Sequence, residues 1–404
     1  MQINLKKMNL ELFFNKPSLS NFDGQNYKNT WFEILTGNFS ADFSWQDAEI
    51  AIIGVDDKNG SENKSMLNAA DAVRQKLYRL QKGRAHKYSI VDLGNLRLGD
   101  TENDTKERLS EVCYRLLQKN VLPIIIGGSH DLTLAQYEAY KPLDKMLSLL
   151  CVDAKIDLDT NSNSLADSFI DKILKLQPNY LFTITHLASQ EYLIPLDFIK
   201  LYQKLNFDIV GVGKIRDRPE EIEPLVRTAD LLSFDLSAIR AADAVGNKLA
   251  QPFGLSAEEA TRICWYAGNN VQMTSIGFYE YNPDMDVYGH TASIISTMIW
   301  YFVEGFYSRQ AEYDFGSPFY IKYLVPMGGK SNMNTDFMMI FYKSKLTDKW
   351  WLEVPAPHFD THSDNELDEN PYQRPSIIPC SYNDYQQANR GEMPERWIKM
   401  YNRL

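Results

Sequence analysis

The sequence predicts an α/β fold built on eight mostly parallel strands. Three observations carry that reading. Short apolar runs alternate with amphipathic stretches over residues 49–307. The runs lack the polar alternation of half-exposed strands, which points to a sheet covered on both faces. Chemically reactive residues gather just after several runs, where open α/β sheets place their sites.

In chain order, residues 50–55 read as the first strand and 68–80 as the helix after it. Strands follow at 88–93, 121–126, 146–152, 180–184, 207–212, 231–236 and 273–279. The separating helices cover 105–119, 132–140, 165–176, 195–205, 220–227 and 257–267. Strands and helices interleaved in this way suit a doubly wound sheet or a barrel. After residue 307 the pattern changes. Runs at 337–342 and 349–354 flank a polar turn and read as an antiparallel hairpin. Trp350 and Trp351 are neighbours on that hairpin, so one faces inward and the other suits a subunit contact. The tail, 355–404, is rich in Pro, Asn, Asp and aromatics, with one short helix over 394–401. Three parts result: an N-terminal segment 1–48 packing on the core, the α/β domain 49–307, and an aromatic-rich extension 308–404 of the same domain.

Composition narrows the function. The chain has 404 residues, 44% hydrophobic and 24% charged, with a net charge of −11. An acidic chain of this kind argues against nucleic-acid binding, which needs a basic surface. The N-terminus has no sustained apolar core and no small-residue cleavage site, so no secretory signal is read there. The apolar stretch 292–303 is too short to span a bilayer, which needs about 20 residues. The four cysteines form no Cys-x-x-Cys pair, and Cys113 and Cys151 read as small buried thiols. A cytoplasmic location fits.

The strand ends carry the chemistry. One run closes on Asp153-Ala154-Lys155-Ile156-Asp157, another on Ser233-Phe234-Asp235-Leu236-Ser237. A third ends in Gly127-Gly128-Ser129-His130-Asp131, and a fourth is followed by Glu280. Alternate strand residues point the same way, so Asp153, Lys155 and Asp157 share a side, as do Asp235 and Ser237. Buried carboxylates are costly unless paired or bound to a cation. Read singly, His130 suits a buried core histidine, the aspartates suit caps, Lys155 a snorkelling surface residue, Ser237 a turn cap, and Glu280 a salt bridge to Arg240. Their convergence favours a metal site with a lysine inside it. His358, Asp360, His362 and Asp364 alternate in the tail, but that spacing reads as a solvated acidic turn.

These motifs resemble the ureohydrolase family of arginases, agmatinases and formimidoylglutamases. The likeness covers roughly residues 49–307, with formimidoylglutamase-like members nearest. It rests on Gly127-Gly128-Ser129-His130, on the two aspartate motifs, and on Gly277-Phe278-Tyr279-Glu280. The resemblance implies a three-layer α/β/α fold, a binuclear manganese site, hydrolysis of linear amidine or guanidine C–N bonds, and assembly into homo-oligomers of three or six subunits. It assigns His130, Asp153, Asp157 and Asp235 as ligands of the first metal. Glu280 matches the acid that pairs with the cationic substrate, and Glu280 and Asp157 are the candidate catalytic side chains.

Two departures fall on the second metal. Lys155 stands where the family has a histidine, and Ser237 where it has an aspartate. A protonated lysine has no lone pair and cannot ligate. Three aspartates balance one ammonium plus one divalent ion, so Lys155 is expected to take the second metal's place. At most one manganese or similar ion per chain follows, or none if Lys155 pairs with the carboxylates. Residues 159–168 also lack a proton-shuttle histidine. Three readings stand: a ureohydrolase-fold protein weakly active or inactive on usual substrates, an amidine or guanidine hydrolase using a single metal, and a non-catalytic binding or assembly protein.

Overall fold

Local sequence signals set the elements that frame the site. The long helix Glu102–Gln118 begins at a capping box, in which Thr101 and Asp104 bond each other's backbone N–H. Its buried face, Leu109, Val112, Cys113 and Leu116, follows the three-to-four spacing of a helix laid on a sheet. Ser256 and Glu259 cap the helix Ala257–Gly268 in the same way. That helix crosses His290–Tyr307 closely enough that a Cβ on Gly268 would lie 2.0 Å from the Phe302 carbonyl oxygen.

The structure is a computed structural model describing residues 10–17, 27–37, 44–84, 87–310, 314–327, 337–355 and 377–403. Nine strands form the main sheet: β1 (Phe14–Asn15), β2 (Ile50–Gly54), β3 (Ile90–Leu96), β4 (Leu122–Ile126), β5 (Leu147–Val152), β6 (Leu181–Ser189), β7 (Asp208–Gly211), β8 (Leu231–Asp235) and β9 (Ser275–Tyr279). Their order is β1-β3-β2-β4-β9-β8-β5-β6-β7. The eight strands expected are all present and parallel; the ninth, β1, pairs antiparallel with β3 at one edge. Two residues are too short to leave a periodic signal, so β1 was not legible in the sequence.

Alternate residues of each strand feed opposite cores. Ile50, Ile52, Ile124 and Ile126 join one apolar cluster, while Ala51, Ile53 and Ile125 join another. Both faces are therefore covered, giving three layers.

The extension is more ordered than a hairpin and one helix. Strands β10 (Tyr320–Pro326), β11 (Met338–Ser344), β12 (Trp350–Glu353) and β13 (Ile377–Cys380) form a four-stranded antiparallel sheet in that order. Two helices follow, Tyr382–Asn389 and Glu395–Tyr401. The expected outward tryptophan is also corrected. Trp350 stacks on Tyr323 and Tyr385, at ring-centroid distances of 5.2 and 4.9 Å. Trp351 lies under the Arg227 guanidinium, 4.4 Å from it. Both indoles are buried within the chain.

No helix among the described residues is long and apolar enough to cross a membrane. All four cysteines are free and buried. The His358–Asp364 alternation lies outside the described residues.

Candidate metal centre

Four adjacent strands deliver the site. In the order β4-β9-β8-β5 they run parallel, so their carboxyl ends lie side by side. His130 follows β4, Glu280 follows β9, Asp235 ends β8, and Asp153 and Asp157 follow β5. The sequence separates these residues widely; parallel pairing alone collects them.

The turn after β4 needs glycine. Gly128 has φ +82°, and a Cβ there would meet the Leu132 side chain at 2.4 Å and the Asp57 carbonyl oxygen at 2.8 Å. The turn places His130 in a short 3₁₀ segment, His130–Leu132, facing the aspartates. Its Nδ1 lies 2.9 Å from Asp157 Oδ2, 3.3 Å from Asp235 Oδ2 and 3.6 Å from Asp153 Oδ2. Despite these approaches, Nδ1 is a buried atom without a hydrogen-bond partner. Three carboxylates thus converge on this one edge of the imidazole. Nε2 contacts Ser233 Oγ at 2.8 Å, and Ser233 in turn contacts Thr133 Oγ1 at 2.6 Å. A histidine whose far nitrogen is held by a hydroxyl and whose near nitrogen faces acids suits a metal ligand. His130, Asp153 and Asp235 offer ligand atoms all within 4.8 Å of one another. Asp157 is nearest to the imidazole but falls outside that mutually close set.

The electrostatics are those of a site short of positive charge. Burial raises the Asp153 carboxyl well above its usual range, and Asp157 and Asp235 raise it further. Burial also raises Asp157, against the lowering contact with His130. Burial opposes a charged His130, but Asp157 and Asp235 outweigh it and raise the imidazole well above its usual value. An all-oxygen-and-nitrogen set of this kind suits a hard or borderline divalent ion such as manganese.

Glu280 closes the group. It follows β9 with φ +63°, a left-handed conformation unusual outside glycine. Its Oε2 accepts from Ser61 Oγ at 2.6 Å and its Oε1 from the His130 backbone N–H at 2.9 Å. Asn63 donates to the Glu280 carbonyl oxygen at 2.7 Å. Burial, then the charge of Asp235, pushes the carboxyl up to about 8. The alternative salt bridge to Arg240 is not formed; Arg240 pairs with Asp243 at 2.9 Å.

The two departures behave differently from each other. Ser237 donates through Oγ to Asp153 Oδ1 at 2.9 Å, while its backbone N–H donates to Asp235 Oδ1 at 2.6 Å. Lys155 donates its backbone N–H to Asp153 Oδ1 at 3.1 Å. Its side chain is half-buried, and among the described residues its ammonium makes no ion pair. The expected pairing of this amine with the site carboxylates is thus absent from the structure. At Asp153 the serine supplies a side-chain donor and the lysine only its backbone N–H.

Several contributors escaped the sequence reading. Ser61 and Asn63 sit in a polar loop without periodicity, and only the fold brings them to Glu280. Ser233 had a signal that went unused: a polar residue within a wholly buried apolar strand. Phe169, whose ring lies 4.7 Å from that of His130, came from a helix read only as packing.

Residues 48–304 match the family described as Arginase family. The formimidoylglutamase of Lysinibacillus sphaericus is 24% identical over 259 residues, spanning 60% of this chain and 80% of that protein. The formimidoylglutamase of Streptococcus pyogenes is 24% identical over 316 residues, 70% of this chain and 93% of that one. Among solved structures, Bacillus subtilis formimidoylglutamase superposes with a TM-score of 0.62 at 18% identity, over 73% of this chain and 97% of that one. Trypanosoma cruzi formiminoglutamase, solved with Mn²⁺, gives 0.61 at 20% identity, over 68% and 98%.

Proposed function

The chain belongs to the arginase family, and from that premise we propose that it is a ureohydrolase-fold protein with a one-metal site, weakly active or inactive on the usual substrates. The observation that carries this reading is the hydrogen bond from Ser237 Oγ to Asp153 Oδ1. Where the resemblance puts a ligand carboxylate of a second ion, this hydroxyl donates to Asp153 and brings no negative charge. Lys155, at the other altered position, brings an amine where a neutral nitrogen ligand is needed.

His130, Asp153 and Asp235 would hold the remaining divalent ion, with Asp157 beside them. When bound, such an ion supplies Lewis acidity and lowers the pKa of a coordinated water. The chain's own part is positional. Ser233 orients His130, Ser237 orients Asp153, and Ser61 with the His130 N–H holds the Glu280 carboxyl for a cationic amidine or guanidine. Formimidoylglutamases are among the relatives, so a linear amidine is the substrate class to test. The N-terminal segment and the C-terminal extension belong to the same unit as the α/β domain in this reading, and assembly into homo-oligomers accompanies it.

Metal analysis of protein loaded with manganese tests it. About one ion per chain is expected, rising towards two in the Lys155→His, Ser237→Asp double variant. Two ions in the unaltered protein would overturn the proposal. Rapid hydrolysis of N-formimidoyl-glutamate by the singly loaded protein would instead favour the active single-metal hydrolase.

A further inference from the structure

The segment that carries Asp153 is not held by sheet pairing alone. Strands β5 and β6 pair in parallel, with Cys151 opposite His186 and Val152 opposite Leu187. The Asp153 N–H continues the ladder by donating to the Leu187 carbonyl at 3.0 Å. A regular parallel ladder would next bring the Ser189 N–H to the Asp153 carbonyl. That rung is missing. The register of β6 against β7 shifts between Leu187 and Ser189, where Ala188 takes a left-handed φ of +69°. Pairing with the Asp153 segment returns at the Gln190 N–H, which donates to the Ala154 carbonyl at 3.0 Å. A bulge of this kind leaves a ladder group unpaired and re-aims the chain beside it.

No backbone N–H among the described residues reaches the Asp153 carbonyl oxygen. A side chain does. His186 Nε2 lies 3.1 Å from that oxygen, and because a carbonyl only accepts, the imidazole donates. The ring is fully buried and stands edge-on to Tyr202, with centroids 6.2 Å apart.

Packing does not account for a histidine here. Its Nδ1 and the neighbouring Tyr202 hydroxyl are buried atoms without hydrogen-bond partners, and such atoms cost stability. An apolar side chain would spare the cost of Nδ1 but leave the Asp153 carbonyl without a donor. The contact to Asp153 is what the imidazole supplies.

We propose that His186 is a positioning residue for the metal ligand Asp153. The inference rests on the one-metal reading. The His186 Nε2–H stands in for the lost rung and fixes the Asp153 peptide from one side, while the Leu187 carbonyl fixes it from the other. Asp153 is then held twice: its carboxylate by Ser237 Oγ and the Lys155 N–H, its main chain by β6. Neighbours that orient a ligand in this way set metal affinity without touching the ion.

Calorimetric titration of the chelator-treated full chain with manganese, beside urea unfolding of the same samples, tests this role. His186→Leu should weaken manganese binding about tenfold or more, the usual effect of losing such a neighbour. His186→Gln places an amide N–H within reach of the same carbonyl and should recover most of the affinity. Ile184→Ala lies on the same face of β6 and is equally buried. It should lower urea resistance and leave manganese affinity unchanged. Nitrogen NMR of the unaltered protein needs no variant to fold: the His186 proton should sit on Nε2, with Nδ1 bare. The inference is overturned if His186→Leu binds manganese as tightly as the unaltered chain, if Ile184→Ala weakens binding as much, or if the proton sits on Nδ1. Two ions in the unaltered chain would sink the one-metal reading while the affinity comparison still decides the role of His186. No uptake at all would sink both.

Discussion

Asp153 and Asp208 lie at opposite ends of the same parallel sheet, and the chain treats their charges in opposite ways. Asp208 begins β7, with its side chain 18% exposed, and two cations of the C-terminal helix region reach it. Burial opposes its ionisation, but Lys399 and Arg403 overcome that and lower the carboxyl below its usual range. Asp153 follows β5, is 2% exposed, and faces two more aspartates. Burial raises it, and its neighbours add to the rise. One aspartate is complete within the chain. The other is left needing protons or a cation from outside, and that need is the physical signature of the candidate metal centre.

The largest test of the contrast is a pair of matched substitutions in chelator-treated protein. Asp208→Asn leaves Arg403 beside a neutral group, while Lys399 keeps Glu395 at 2.8 Å. A loss of about 2 kcal/mol in urea unfolding is expected, the size of a charge-assisted hydrogen bond lost at a part-buried pair. Asp153→Asn keeps an acceptor for Ser237 and Lys155 while removing one of the crowded charges, so stability at neutral pH should hold or rise. A loss at Asp153 as large as that at Asp208 would mean that the carboxylate is already balanced without metal.

How much of this was legible beforehand follows from the same physics. Sequence periodicity located all eight parallel strands, because buried strands are uniformly apolar. It also placed His130, Asp153, Asp235 and Glu280 at strand ends, and the fold brings exactly those ends together in β4-β9-β8-β5. The direction of a side chain was not legible. Lys155 was assigned to the metal pocket by charge counting, yet its amine makes no ion pair among the described residues. A half-buried chain with four rotatable bonds is not fixed by its backbone register, whereas the short Ser237 side chain is. The extension was read only in part, since β10 and β13 pair across long sequence gaps with no hairpin signal.

A pH series sharpens the comparison next. The Glu280 carboxyl stands at about 8 in the folded chain against 4.5 as its ordinary value. Between those values the unfolded chain has released a proton that the folded chain retains, so stability falls as pH rises through the window. Asp153 and Asp157 are raised too and act with the same sign. Asp208 is depressed and acts oppositely: its contribution is present above the ordinary carboxylate value and is lost as pH falls through its lowered one. Chelator-treated protein should therefore lose urea resistance from about pH 4.5 to about pH 8, and Glu280→Gln should make that decline shallower. A flat profile in this window would show that the cluster is neutralised from within.

The smallest effect concerns the residue that most separates this site from a two-metal one. Ser237 Oγ and the Lys155 N–H are the two donors to Asp153 Oδ1. Ser237→Ala leaves the backbone donor in place and removes one neutral hydroxyl from a buried carboxylate. The expected cost is about 1 kcal/mol, the net worth of a typical hydrogen bond. The change adds no ligand, so manganese stoichiometry should stay where the unaltered protein has it, read by the same metal analysis. If Ser237→Ala costs nothing measurable, the hydroxyl is not what holds Asp153, and the case for a serine standing in the second ion's place fails. If instead the variant takes up a second manganese, the hydroxyl was only a barrier, and the remaining carboxylates suffice as ligands.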